Sequence, residues 1–100
     1  MVRGGFAYIM STKYNTAIYT GSTSDLRNRV IQHKTKEFPK SHTARYNIDK
    51  LVYFEHFEFI EEAILRESQI KSWSRAKKNR LIETINPDWT DLFEEVKKWD

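Results

Sequence analysis

The sequence predicts an α+β fold, a small antiparallel three-stranded sheet flanked by helices in the order β-β-α-β-α-α-α, and three observations carry that expectation. Two short runs rich in aromatic and β-branched residues, "FAYIM" (6–10) and "AIYT" (17–20), flank the polar "STKYNT" and read as a hairpin with a loop longer than the tightest turns. A third such run, "LVYFEHFEF" (51–59), reads as another strand. Outside the loop-like stretch 35–49, the remaining segments carry helical composition and recognisable caps. With 39% hydrophobic residues spread over 100 positions, a single domain spanning 1–100 is expected. A chain of this size hides roughly two-thirds of its unfolded surface, so its aromatics are needed for the core first.

The elements follow in order. Gly21 is expected to end the second strand, and Ser24 or Asp25 to cap a helix that runs to about Lys34. The stretch 35–49 contains Pro39, is rich in basic and hydroxyl residues and shows no period; it reads as a loop with room for one helical turn. "IEEAILRESQIKSW" (60–73) is helical in composition, with Ile64 at one edge of its apolar face and Ile70 at the other, and Ser74 caps a further helix to about Ile85 with Leu81, Ile82 and Ile85 as its stripe. Asn86-Pro87 then stops that helix and starts a last one over about 87–99, whose Trp89, Leu92, Phe93 and Val96 recur at helical spacing. Asp88 and Asp91 lie early in it and Lys97 and Lys98 late, as the helix dipole favours.

Composition removes several function classes. Without cysteine there is no disulfide framework, thiolate metal site or cysteine nucleophile. The N-terminal segment has no signal-peptide run and nothing approaches a membrane span, so an intracellular, cytoplasmic protein without a membrane partner is expected. Charge is uneven: residues 1–50 hold nine Lys or Arg against three Asp or Glu, and residues 51–100 hold eight against eleven. A second basic island, Arg66, Lys71, Arg75, Lys77, Lys78 and Arg80, is interrupted by Glu67 alone. Clustered cations suit a polyanion, nucleic acid above all, or else form a solvated face.

Two sets of polar residues stand where helices should bury apolar ones. With Leu26 at zero, Val30, His33 and Arg29 fall at about 40°, −20° and −60° around the first helix, so both polar groups border the apolar stripe. On the helix around Ala63 and Ile70, Glu67 falls at about 40° from Ala63, within the apolar face. A carboxylate there needs a cation, whether Arg29, a lysine or a metal ion. Either the two sets form a structural ion pair or they border a wet cleft.

At this point the residues match a family. The chain resembles the GIY-YIG nuclease domain, in particular the small stand-alone bacterial type, and is similar in its core to the nuclease domain of the excision-repair incision subunit. Tyr8 in "AYIM" matches the tyrosine of the first motif, and "YTG" (19–21) matches the second with Thr in place of Ile. Arg29 follows Tyr19 by ten residues, His33 stands one turn later, Glu67 lies in "RESQIK", and Asn79 follows Glu67 by twelve. "SRAKK" (74–78) is similar to a stretch of the stand-alone type, and the resemblance spans about 5–86. Two positions depart from the pattern: Phe6-Ala7 replaces Gly-Ile, and Ser22 or Thr23 stands where the repair nuclease has a lysine.

The resemblance implies a divalent-metal-dependent DNA endonuclease of weak sequence specificity, acting in DNA repair or processing. In that reading Glu67 holds one Mg²⁺ or Mn²⁺ ion, because hard ions take oxygen ligands. Arg29 clamps a phosphate oxygen, Asn79 fixes a water, a phosphate or the base, and one of Tyr8, Tyr19 and His33 serves as general base. Histidine titrates nearest neutrality, whereas tyrosine needs a neighbouring cation to act as a base. The two tyrosines also have a plain role as strand residues. Lys36, Lys40, Arg45, Lys77, Lys78 and Arg80 are the candidates for phosphate contacts to DNA, branched and single-stranded forms included. Ser41, His42, Thr43 and Tyr46 add hydrogen-bonding or stacking capacity, or are ordinary loop polarity. A monomer is expected, with oligomers left open. The rival readings are a nucleic-acid-binding module that kept the fold without the chemistry and a protein-interaction domain displaying "WTDLFEEVKKW".

Overall fold

A computed structural model describes residues 4–99. Three antiparallel strands, β1 (Gly5–Ser11), β2 (Ile18–Thr23) and β3 (Lys50–Phe57), form one sheet in the order β2-β1-β3. The hairpin loop is held by Thr12, whose hydroxyl accepts from the backbone N–H of Thr16 at 2.9 Å and of Ala17 at 3.2 Å. Contrary to expectation, Gly21 does not end β2: it pairs with Tyr8, and the ladder continues to Thr23 opposite Phe6. A slip between Ile9 and Met10 pairs them with Tyr53 and Leu51, leaving Val52 as a bulge residue.

Strand alternation sorts the core into two layers. On one face Phe6, Tyr8 and Met10 meet Leu26 and Val30 of α1 (Leu26–Thr35), together with Ile48, Leu51 and Val96. A short helix, α2 (His42–Arg45), completes this side, occupying the single turn expected within 35–49, and Ser41 caps it. On the other face Ile9, Val52 and Tyr53 meet Ile70 of α3 (Ile60–Lys71), Ile82 of α4 (Arg75–Ile85) and Trp89. Asp25 caps α1 and Ser74 caps α4, each side chain accepting a backbone N–H three residues on. The buried line of α3 runs through Ala63 and Ile70, so Ile64, a quarter-turn away, is exposed. On α4 only Ile82 is fully buried, and Ile85 is exposed where the chain leaves the sheet.

The C-terminal segment departs most from expectation. Helix forms only over α5 (Phe93–Val96), not over 87–99, because Trp89 takes a left-handed backbone conformation (φ 55°). That turn sends the indole into the α3–α4 layer, where its N–H donates to Glu83 Oε2 at 3.0 Å. Leu92, Phe93 and Val96 pack in the α1 layer, so the helical spacing joins residues of two different layers. The crossing is fixed to the open edge of β3. Asn86 Nδ2 donates to the Val52 carbonyl at 3.0 Å, Asp91 Oδ1 accepts from the Leu51 N–H at 3.2 Å, and the Leu92 N–H donates to the Leu51 carbonyl at 2.8 Å. An otherwise unpaired strand edge is thereby covered. No helix among the described residues is long and apolar enough to cross a membrane.

Candidate active site

Central position in the sheet buries Tyr8 completely. Its ring lies over Gly21, its cross-strand partner, where a side chain would leave no room. From there the phenol oxygen reaches His33 Nε2 at 3.1 Å, in the last turn of α1, and His33 Nδ1 reaches Thr43 Oγ1 of α2 at 3.0 Å. Tyr19, on the same face of β2, completes an aromatic triangle with ring centroids 6.4 Å from Tyr8 and 5.8 Å from His33. Burial, with a smaller push from Tyr19, raises the Tyr8 phenol above its ordinary range and outweighs the opposing pull of Arg29. Burial, with Arg29 adding to it, lowers His33. The pair at neutral pH is thus a protonated phenol and an uncharged imidazole. A phenol is the stronger acid of the imidazole's two hydroxyl neighbours, which favours Tyr8 O–H donating to Nε2 and Nδ1–H donating to Thr43.

Glu67 approaches the same edge strand from the opposite face. Ser22 pairs with Ala7, so it points away from Tyr8 and towards α3, where its hydroxyl donates to Glu67 Oε1. Oε2 holds the Lys71 ammonium at 2.5 Å, one helical turn on. The hydrogen bond to Glu67 raises the Lys71 pKa. The Glu67 side chain is 19% exposed, so the carboxylate is shielded without being sealed. Its cation is therefore a lysine, and the four ion pairs among the described residues include none between Glu67 and Arg29. Arg29 instead lines a cavity of about 460 Å³ with Tyr19, His33, Lys36, Ser41 and Thr43. Glu67 and Tyr8 stand outside that lining.

The remaining sequence candidates are divided between the layers. Lys36 lines the cavity and donates to Asn47 Oδ1, and Lys40 before α2 and Arg45 at its end are exposed. Lys77, Lys78 and Arg80 lie on α4 in the other layer, where Lys77 and Arg66 lie 4.2 and 5.2 Å from the Trp73 ring centroid. Asn79 Oδ1 accepts from Arg75 Nε at 2.8 Å, and Arg75 in turn holds the Asn15 carbonyl of the hairpin loop at 2.6 Å. Among the described residues no hydrogen bond joins Asn79 to Tyr8, Tyr19 or Glu67.

A family model described as the GIY-YIG catalytic domain matches residues 4–80. The chain belongs to the GIY-YIG family. A UPF0213 protein of Natronomonas pharaonis is 38% identical over 82 residues, 82% of this chain and 94% of the relative. One from Staphylococcus saprophyticus is 38% identical over 77 residues, 77% of this chain and 92% of the relative. The solution NMR structure of a UPF0213 protein from Bacillus halodurans has a TM-score of 0.55 at 27% identity, covering 88% of this chain and 92% of that one.

In this GIY-YIG chain the second motif has a legible purpose: its glycine makes room for the tyrosine of the first. Three partners were not picked out as site residues by sequence reasoning. Lys71 was detectable, since a lysine four residues after a glutamate on one helix is the favoured pairing. In the sequence Ser22 stands out only as a departure from the family pattern, and Thr43 only as a loop residue with hydrogen-bonding capacity or ordinary polarity, because its contact depends on how α2 folds back on α1. A divalent ion at Glu67 is what the family resemblance implies. Among the described residues no three His, Cys, Asp or Glu side chains gather as a metal site. One carboxylate with a neighbouring hydroxyl fits a hard ion that keeps most of its waters, as Mg²⁺ does.

Proposed function

We propose that this protein is a divalent-metal-dependent endonuclease that hydrolyses DNA phosphodiester bonds with little sequence preference, in DNA repair or processing. The observation carrying the reading is the cationic, hydroxyl-lined cavity in which Arg29, Tyr19 and His33 meet in a GIY-YIG chain. Arg29 offers two parallel donors to a non-bridging phosphate oxygen, where charge grows during attack. Tyr19 faces the cavity and orients the attacking water. His33, already uncharged, takes the water's proton at Nε2. Tyr8 holds that nitrogen in the resting arrangement, so substrate binding trades the Tyr8 hydrogen bond for one to the water. Thr43 keeps the imidazole plane fixed through Nδ1. Glu67, with Ser22 of the edge strand β2 beside it and its charge felt at Tyr8, would hold Mg²⁺ or Mn²⁺, and the ion would supply positive charge for the leaving oxygen.

The test is cleavage of supercoiled plasmid and of labelled branched, flap and single-stranded DNA with Mg²⁺ or Mn²⁺, comparing the parent with a folded Glu67→Ala protein. Metal-dependent cutting by the parent alone is the expected result. A binding module without chemistry is the second reading, favoured by Lys71 already neutralising Glu67. It predicts that both proteins bind these substrates and neither cuts.

A further inference from the structure

We propose that a second cavity, between the hairpin loop and the C-terminal end of α2, is a stacking subsite for one unpaired base of the nucleic-acid strand. The proposal rests on the nuclease reading, which places the phosphate in the Arg29 cavity. The second cavity has a volume of about 630 Å³, and Tyr14, Tyr46 and Asn47 contribute to its walls. Tyr14 is 77% exposed and Tyr46 56% exposed, in a protein that needs its aromatics inside. Neither ring belongs to either core layer.

The two cavities adjoin through two separate links. His42 lines the first and its ring lies 4.8 Å, centroid to centroid, from that of Tyr46, which lines the second. Lys36 lines the first and donates to Asn47 Oδ1 in the second. A strand whose phosphate sits on Arg29 therefore meets aromatic faces as it continues over α2. Charge then assigns each part of the nucleotide. Arg29 and Lys36 give the first cavity a positive lining without an acid, suited to phosphate. In the second, Asp49 and Asp91 stand beside Lys13 and Lys50, Asp91 also holding Lys34, so the lining is less cationic than that of the first and suits a neutral heterocycle better than a phosphate.

The walls are also held in place. Lys50 Nζ donates to Asn15 Oδ1 at 2.7 Å and to the Lys13 carbonyl at 3.4 Å, bracing the hairpin loop that carries Tyr14. Since Lys36 occupies the carbonyl oxygen of Asn47, its amide nitrogen is the donor left for a base edge. Stacking is tolerant of base identity, and a paired base cannot offer both faces without leaving its helix. The subsite therefore selects unpaired strands.

The experiment is anisotropy of a fluorescein-labelled single-stranded DNA oligonucleotide and of the matching duplex, in EDTA so that nothing is cut. The parent, Tyr14→Ala, Tyr46→Ala and Tyr46→Phe are compared, with circular dichroism melts verifying the fold. Each alanine variant is expected to weaken single-strand binding about tenfold and to leave duplex binding unchanged, whereas Tyr46→Phe, which keeps the ring, binds like the parent. Alanine variants that bind the single strand like the parent, or that lose both ligands equally, overturn the subsite. Plasmid cleavage by the same proteins separates the two readings. If the parent cuts and the tyrosine changes do nothing, the subsite alone falls. If tyrosine-dependent binding occurs without cutting, the nuclease reading falls and the subsite stands. A parent that binds neither DNA overturns both.

Discussion

Tyr8 and Gly21 face each other across β1 and β2, and a methyl group placed on Gly21 would lie 2.7 Å from the Tyr8 hydroxyl and 2.8 Å from its ring. The Tyr8 side cannot yield, because β1 is central in the sheet and Tyr8 has no exposed surface. Gly21→Ala is therefore expected to cost about 1–3 kcal/mol by overpacking and to pull the phenol away from His33. Urea unfolding measures the first effect. Loss of the lowered His33 titration, followed by NMR, measures the second.

The state of His33 gives a pH dependence of definite sign. Burial and the Arg29 charge lower its pKa, so the folded protein takes up this proton less readily than the unfolded chain does. The folded state is thus free of this penalty above the unfolded value near ~6.5, loses stability as pH falls below it, and stops losing once pH is below the folded pKa. Urea midpoints at pH 7.5 and 5.5 are expected to differ less in His33→Gln than in the parent. Equal differences would show that His33 is not the group responsible.

The linked roles of Tyr8 and His33 are read from a cycle. Tyr8→Phe removes one hydrogen bond and is expected to cost about 1 kcal/mol in stability. Because Tyr8 gives up Nε2 to the water, Tyr8→Phe is expected to leave cleavage within a few-fold of the parent, whereas His33→Ala is expected to slow it about 100-fold and the double variant no further. Additive losses in single-turnover rates would mean that the two side chains act separately.

Lys71 and a metal ion would compete for one oxygen of Glu67. Replacing the lysine by methionine keeps the aliphatic stem and removes the competitor. The Mn²⁺ concentration giving half-maximal cleavage is expected to fall several-fold. Stability should change by about 1 kcal/mol or less, because the ammonium is half exposed and Ser22 still donates to the carboxylate. An unchanged metal titration would argue that the ammonium already stands clear of the ion.

Asn86 is buried, and its side chain also accepts the Thr90 N–H at 3.0 Å and donates to the Thr90 carbonyl at 2.9 Å. Asn86→Ala leaves the Val52 carbonyl unpaired in the core. A loss of about 2–3 kcal/mol is expected, lowering the melting temperature by roughly 10 °C or more.

Much of the fold was legible because local rules and tertiary packing agree over most of the chain. Alternating apolar runs gave the strands, and Asp25 and Ser74 marked their helices through hydrogen bonds that need only three neighbouring residues. Where one local pattern served two layers, the sequence misled. Trp89 and Val96 share a helical spacing, yet only a left-handed residue between the layers lets both be buried. Angles around a helix overstated the apolar faces near Ile64 and Ile85, because the sheet covers only a narrow line of α3 and α4. For the candidate site, angles around two helices singled out Arg29, His33 and Glu67, and the family resemblance added Tyr8 and Tyr19. Neither could show that Glu67 lies across the sheet from Tyr8, since that follows from strand register. The direction of Asn79, held by Arg75, was equally out of reach.

The crossing of residues 86–96 along the β3 edge has a consequence for how the molecule opens. One short segment fastens both layers, contributing Trp89 to one and Val96 to the other, and it does so beyond the residues that match the family model. Detaching it would expose both cores together, so the layers should exchange their amide hydrogens as one cooperative unit rather than peel apart in turn. The segment works as a buckle: released, it loosens His33 on one side of the sheet and Glu67 on the other in a single event.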